Sequence, residues 1–303
     1  MSCLLFAAAL VIQMPQVQTF VTGKVVDRLS EKLDGDISFE KIHLKPFTTL
    51  VIKNVNIIDR NPAVNPDDPL GVKIDTFFRA EYIIAKFSYN GLFKHEGIHL
   101  KKAFIDNAQM NLVIENKQDE GDGDTSTDNL SRIFRISKPE EPKKSEKEIF
   151  HIRKVEIRDM GFLMKNYLAD RNLYEDGGID WNDLDISGIN LKAKGLQFKG
   201  GIMSGELTEL SFSEKSGYEI ISMTGKADVG RGRTIIEDFH IIDPWSDLNL
   251  PVYIMSYENI KAFQDFIGKV RIDAEVAQSL LDFKTISYFA PQLMGNGLVA
   301  DIS

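Results

Sequence analysis

The stretch "FHIRKVEIRD", residues 150–159, sets apolar residues at Ile152, Val155 and Ile157, so the every-second-residue rhythm of a strand with one buried face breaks once, after Ile152. The same break recurs along the chain. "IKNVNIID" carries Ile52, Val55 and Ile57 and closes on Asp59; "LKKAFIDN" carries Leu100, Ala103 and Ile105 and closes on Asn107; "IEDFHIID" carries Ile236, Phe239 and Ile241 and closes on Asp243. A looser copy starts at Ile186 in "ISGINLKA". Recurrence of one short unit is the mark of an array built by stacking. Each skip then marks a bulge or a strand entry, and each closing Asp or Asn starts a turn.

Strand signals run from "DISFEKIHL" to "DLNLPVYIM", rich in Ile, Val, Phe and Leu and separated by turn pairs such as Gly200-Gly201. This pattern predicts a mainly β fold, a long antiparallel meander over residues 36–255. Residues 117–148 interrupt it with a charged, Gly/Ser/Pro-containing insertion, expected to be mobile apart from a short helix at "NLSRIFRI". Residues 256–303 change character. "SYENIKAFQDFIGK" has helical spacing, "KVRIDAEV" reads as a strand, "AQSLLDFKTISYFAPQL" reads as a helix, and another strand begins in "NGLVADIS".

At the other end, Val17, Val21, Val25, Leu29 and Leu33 fall every fourth residue between Pro15 and Gly35, which predicts an amphipathic helix over residues 15–35. Before it, "CLLFAAALVI" is an apolar run about half as long as the ~20 residues a membrane-spanning helix needs, with no basic residues ahead of it. Residues 1–14 therefore read as the end of a signal anchor.

Composition narrows the function classes. The formal net charge is −9 over 303 residues, with Lys and Arg interspersed among acids, which argues against a nucleic-acid partner. The single cysteine, Cys3, cannot form an intramolecular disulfide. Several stretches resemble chemical sites. "HEGIH" satisfies H-E-x-x-H at His95 and His99, but "IHLKKAFI" reads as a strand, where positions i and i+4 stand about 13 Å apart, too far to share one ion. "DEGDGDTSTD" has the acid density of a calcium loop without the Gly and terminal Glu such a loop requires. "DWNDLD" from Asp180 offers carboxylates with no matching constellation. With no phosphate-binding loop and no nucleophile elbow either, the sequence predicts no enzyme, no cofactor and no resident metal.

The segment "PQVQTFVTGKVVDRLSEKLDGDISFEKIHLKPFTTLVIKNVNIID" resembles the start of the AsmA-like/TamB proteins of diderm bacterial envelopes. The family's strand followed by an "L-x-L-x-x-V-x-I" strand is matched by "ISFEKIHL" and "LVIKNVNI", and the block from "LPVYIM" to "APQL" is similar to a helix–strand–helix interruption of the family's β array. The resemblance implies an inner-membrane, single-pass protein with its bulk in the periplasm. It further implies a taco-shaped open β-groove, of the bridge-like lipid transfer kind, conducting phospholipids between inner and outer membranes.

On that reading the groove lining comprises Val55, Ile57, Ala103, Ile105, Val155, Ile157, Phe162, Met164, Phe239 and Ile241. An open, curled sheet with an apolar interior offers acyl chains a dry path. Two alternatives stand beside it: an assembly scaffold for outer-membrane proteins with an Omp85-type partner, and a structural array whose apolar face closes on itself as a sandwich or barrel.

Overall fold

The computed structural model describes residues 33–45, 48–65, 73–87, 98–116, 126–135, 148–168, 178–230, 232–258, 269–289 and 299–302. The expected anchor (1–14) and nearly all of the expected helix (15–35) lie outside them, as does the helical spacing in 259–268. Among the described residues no helix is long and apolar enough to cross a membrane.

The strands are β1 (Gly35–Ser38), β2 (Lys41–Lys45), β3 (Thr49–Asp59), β4 (Thr76–Phe87), β5 (Ile98–Asn116), β6 (Ser126–Asp128), β7 (Glu148–Asn166), β8 (Asp183–Lys199), β9 (Ile202–Glu214), β10 (Glu219–Ile220), β11 (Ser222–Val229), β12 (Arg233–Ile242), β13 (Asp247–Tyr257), β14 (Val270–Glu275), β15 (Ser279–Asp282) and β16 (Val299–Ile302). Two short helices join them, α1 (Asn129–Ile133) and α2 (Phe283–Phe289). All strands belong to one sheet, whose main path runs β1-β3-β4-β5-β7-β8-β9-β11-β12-β13-β15-β16 without returning to β1. The sheet is open, not a barrel.

The meander is antiparallel with one exception. β5 and β7 pair in parallel from Ile98↔Phe150 to Ile114↔Asn166. Parallel neighbours need a crossover of a dozen or more residues, and the insertion supplies one. Of the insertion, the described residues 126–135 contain the short helix expected at "NLSRIFRI" as α1, while 117–125 and 136–147, expected to be mobile, lie outside the described residues. Glu148 already belongs to β7, residues 126–128 pair with the end of β5, and α1 packs against the sheet. Residues 279–282 likewise form β15 where a helix was expected, because Ser279 Oγ takes the Asn249 amide and Leu280 pairs with Asp247 at the β13 edge.

Six strand-interior residues have φ between 46° and 63°: Asn54 (48°), Asn107 (47°), Asp159 (46°), Gly188 (63°), Gly195 (61°) and Asp238 (51°). Each sits at the third place of one pattern, apolar-x-turn residue-apolar-x-apolar, as in Ile52-Lys53-Asn54-Val55-Asn56-Ile57 and Ile157-Arg158-Asp159-Met160-Gly161-Phe162. Asn, Asp and Gly tolerate this left-handed conformation best. It explains the skipped position at Ile52–Val55, Ile186–Ile189 and Ile236–Phe239.

It corrects the other two copies. Asn107 and Asp159 do not start turns; they are themselves the left-handed residues, so the repeat in β5 and β7 begins at Ile105 and Ile157. At Leu100–Ala103 the skip is instead a register shift against β4, where Lys86 faces Lys102 and Phe87 faces Leu100. Asp59 and Asp243 do start turns, accepting the amides of Asn61 (2.9 Å) and of Trp245 and Ser246 (2.8 Å each).

Pairs on either side set Asn54 opposite Glu81, Glu81 opposite Asn107, and Asn107 beside Asp159, so the left-handed residues of β3, β5 and β7 lie on one transverse line, with the regular Glu81 of β4 between the first two. β3, β5 and β7 thus leave extended backbone at one level, and in β7 the register against β8 also shifts there.

Candidate functional site: the apolar face

Residues directly opposite across a pair share a face, as do residues two apart along a strand, so register sorts the side chains. One transverse row is Ile52, Ile83, Ile105, Ile157, Leu191 and Leu210. Beside it run Val55, Ala80, Ala108, Met160 and Ile189, then Ile57, Phe78, Met110, Phe162 and Ile186. On the other flank run Ala85, Ala103, Val155, Ala193 and Leu207. The left-handed residues keep these rows on one side: Val55, Ala80 and Ala108 pack in one cluster with Ile52, Ile83, Ile105 and Met160.

The face continues through the later strands. Leu207 pairs with Gly225, and a Cβ on Gly225 would stand 3.3 Å from Phe239 Cδ2 and 3.4 Å from Ile236 Cγ2, so both side chains lie on that face beyond the Asp238 bulge. Ile241 faces Met223, and Met164 faces Leu184. All ten positions named from the sequence therefore share one face. Only Val55 among them is buried; the other nine are half-buried.

The opposite face is ionic. Lys102 reaches Glu156 at 2.5 Å, with Arg158 on the same carboxylate, and Lys192 meets Glu209 at 2.6 Å. Lys102 and then Arg158 hold the Glu156 carboxyl below the usual carboxylate range. Burial would raise Asp183, but Lys165 and Lys215 outweigh it and hold that carboxyl low as well. Two of the acids of "DWNDLD" are thus accounted for structurally, since Asp180 accepts the Asn182 amide in a turn.

The two ends of the strands differ. At the end holding Asp59, Asn166 and Ile242, helices and loops cover the sheet. Asp128 caps α1 by accepting from Ser131 N (2.7 Å) and Ser131 Oγ (2.8 Å). Asn129 continues the β5 ladder with its side chain, accepting from Val113 N and donating to Asn111 O. Arg132 grips Asp59 with two 2.6 Å bonds and reaches Glu115 at 2.9 Å. Burial opposes the Arg132 charge, yet the two carboxylates raise its pKa; burial lifts Glu115 despite the guanidinium beside it. Further along, Ile179, Tyr218, Ile220 and Tyr288 form a buried cluster on Leu184, Phe212, Met223, Ile241 and Trp245. Asp243 anchors it, accepting from Thr285 Oγ1 (2.7 Å) and Tyr218 OH (3.4 Å). Burial and then that carboxylate push the Tyr218 phenol up.

At the other end the row Ile98, Phe150, Phe198, Met203 and Val229 reaches the strand termini with Ile98 58%, Met203 44% and Val229 42% exposed. The face is thus plugged at one rim and exposed at the other.

His99 lies at the start of β5, as the strand reading of "IHLKKAFI" requires, and His95 lies outside the described residues. His99, Glu148 and His151 form the one group among the described residues whose donor set fits a metal ion. Neither Glu148 nor His151 was singled out in the sequence, because only the β5–β7 pairing brings them to His99.

No family model matches the chain, and no curated protein matches it.

Proposed function

We propose that this chain is a non-enzymatic lipid carrier whose apolar sheet face binds the acyl chains of phospholipids, in the manner of an AsmA-like/TamB envelope protein moving lipid between inner and outer membranes. The observation carrying this reading is the continuous apolar face of an open sheet, left half-covered over nine of the ten named positions. A partly exposed Ile or Phe forgoes up to roughly a third of the ~2 kcal/mol gained on full burial, and an acyl chain lying across several rows recovers it. The plugged rim keeps water from one end, while the exposed rim offers an entry where head groups stay wet.

A second reading, an assembly scaffold with an Omp85-type partner, is favoured by the edge of β14, which among the described residues pairs only with β13 and is open to strand addition.

Native mass spectrometry of the chain purified in mild detergent and then freed of it tests the first reading. More than one phospholipid per chain is expected. Ile157→Asp, which places a carboxylate in the middle row, should remove bound lipid while circular dichroism stays β-rich, since the partly exposed site hydrates the charge. A folded, lipid-free wild type, or unchanged loading in Ile157→Asp, defeats the lipid reading and leaves the scaffold.

A further inference from the structure

On the ionic face, where β5 and β7 begin, the parallel register sets His99 beside His151. Adjacent strands run about 4.8 Å apart, so the two imidazoles leave the sheet side by side, their ring centroids 6.2 Å apart at 77°. Glu148 is three residues before His151, a spacing that on a regular strand faces the other way. The register shifts here: Glu148 faces Lys199 while Phe150 faces Phe198, which makes Ile149 the extra residue. That bulge turns Glu148 onto the histidine face.

Glu148 Oε2 stands 3.5 Å from His99 Nε2 and Glu148 Oε1 stands 4.0 Å from His151 Nδ1. These separations exceed the roughly 2.7–3.2 Å of a hydrogen bond. They approach the ~3.3 Å between neighbouring ligands around a tetrahedral ion with bonds of about 2.0–2.1 Å. One ligand atom from each of the three residues lies within 4.8 Å of the others, and the side chains are 15%, 27% and 35% exposed for His99, Glu148 and His151. The site is reachable by ions from solvent yet sheltered enough to hold one.

We propose that His99, Glu148 and His151 bind one divalent transition-metal ion of the Zn2+ class, which pins the start of β7 to the start of β5. Two imidazoles and a carboxylate form a borderline donor set that suits Zn2+, Co2+, Ni2+ and Cu2+ and does not suit Mg2+ or Ca2+. Three protein ligands leave a position for water. His99 stands at the start of β5 and His151 just past the point where the crossover returns to begin β7, so the ion closes the loop made of β5 and the crossover and stabilises the parallel pair by mass action. The H-E-x-x-H spacing plays no part in it: the second imidazole comes from the neighbouring strand.

The test uses the full chain, stripped with a chelator and titrated with Zn2+ at pH 7.5 by calorimetry, with Co2+ absorption as a second readout. The expected result is one ion per chain at micromolar affinity, a tetrahedral Co2+ visible band, and weakening of at least tenfold in both His99→Asn and His151→Asn. Glu148→Gln should weaken binding in the same direction, and His240→Asn, on a separate strand, should leave it unchanged. Circular dichroism establishes that each variant is folded, and Glu148→Gln decides the matter if a histidine variant is not. Absence of a one-site isotherm below 100 µM Zn2+, or a loss smaller than tenfold in the folded histidine variants, overturns the proposal.

Discussion

The covered and exposed ends of the strands are made of similar apolar residues put to different use. At the covered end Ile133, Ile220 and Tyr218 are 0%, 2% and 3% exposed, and each is locked by polar neighbours: Arg132 between Asp59 and Glu115, Tyr218 and Thr285 on Asp243. At the exposed end Ile98, Met203 and Val229, part of a transverse row, stay 42–58% exposed, although Val229 pairs with Thr234, whose hydroxyl meets the Tyr257 hydroxyl at 2.9 Å. The same apolar face is thus tied into the fold at one rim and left available at the other. Apolar surface buried under a helix or a loop gives stability; apolar surface left exposed gives a place to bind.

Substitutions at the two rims should separate these roles. The largest effect is expected for Arg132→Met, which leaves Asp59 buried and without its guanidinium: about 3–5 kcal/mol of stability lost in urea unfolding. A loss under 1 kcal/mol would mean that α1 does not hold this rim. Next comes Ile220→Ala, whose fully buried side chain leaves a cavity, costing about 2–5 kcal/mol by the same measurement.

Asp159→Val, which forces a β-branched residue into left-handed backbone, should cost about 1–2 kcal/mol, whereas Asp159→Gly should be nearly neutral. Equal effects would show that stability does not depend on φ there. The smallest change is expected for Ile98→Ser at the exposed rim, within about 0.5 kcal/mol in stability, with phospholipid loading falling instead. A large destabilisation would show that this rim too belongs to the core.

Much of the apolar face was legible in the sequence. Alternation is a local property with a period of two, and a break in it announces a residue that leaves extended backbone, so Val55, Ile57, Phe239 and Ile241 sort correctly by inspection. The alignment of the repeat was harder, because Asn and Asp serve both turns and left-handed strand positions: Asp59 and Asn107 look alike in sequence and do different things. The meeting of one acid with two histidines was illegible for another reason. Glu148 reads as the tail of a charged insertion, and only the bulge at Ile149 and the β5–β7 pairing bring it to His99 and His151.

The sequence by itself determined the strand alternation and, in β3 and β12, where it breaks, since both follow from side-chain period and from the backbone preferences of single residues. Only the tertiary structure decided the neighbours: the parallel pairing of β5 with β7, the grip of Arg132 on Asp59 from 73 residues away, and the meeting of His99 with Glu148 and His151. Those depend on the path of the chain between strands, and a crossover can return it in either direction until packing chooses one.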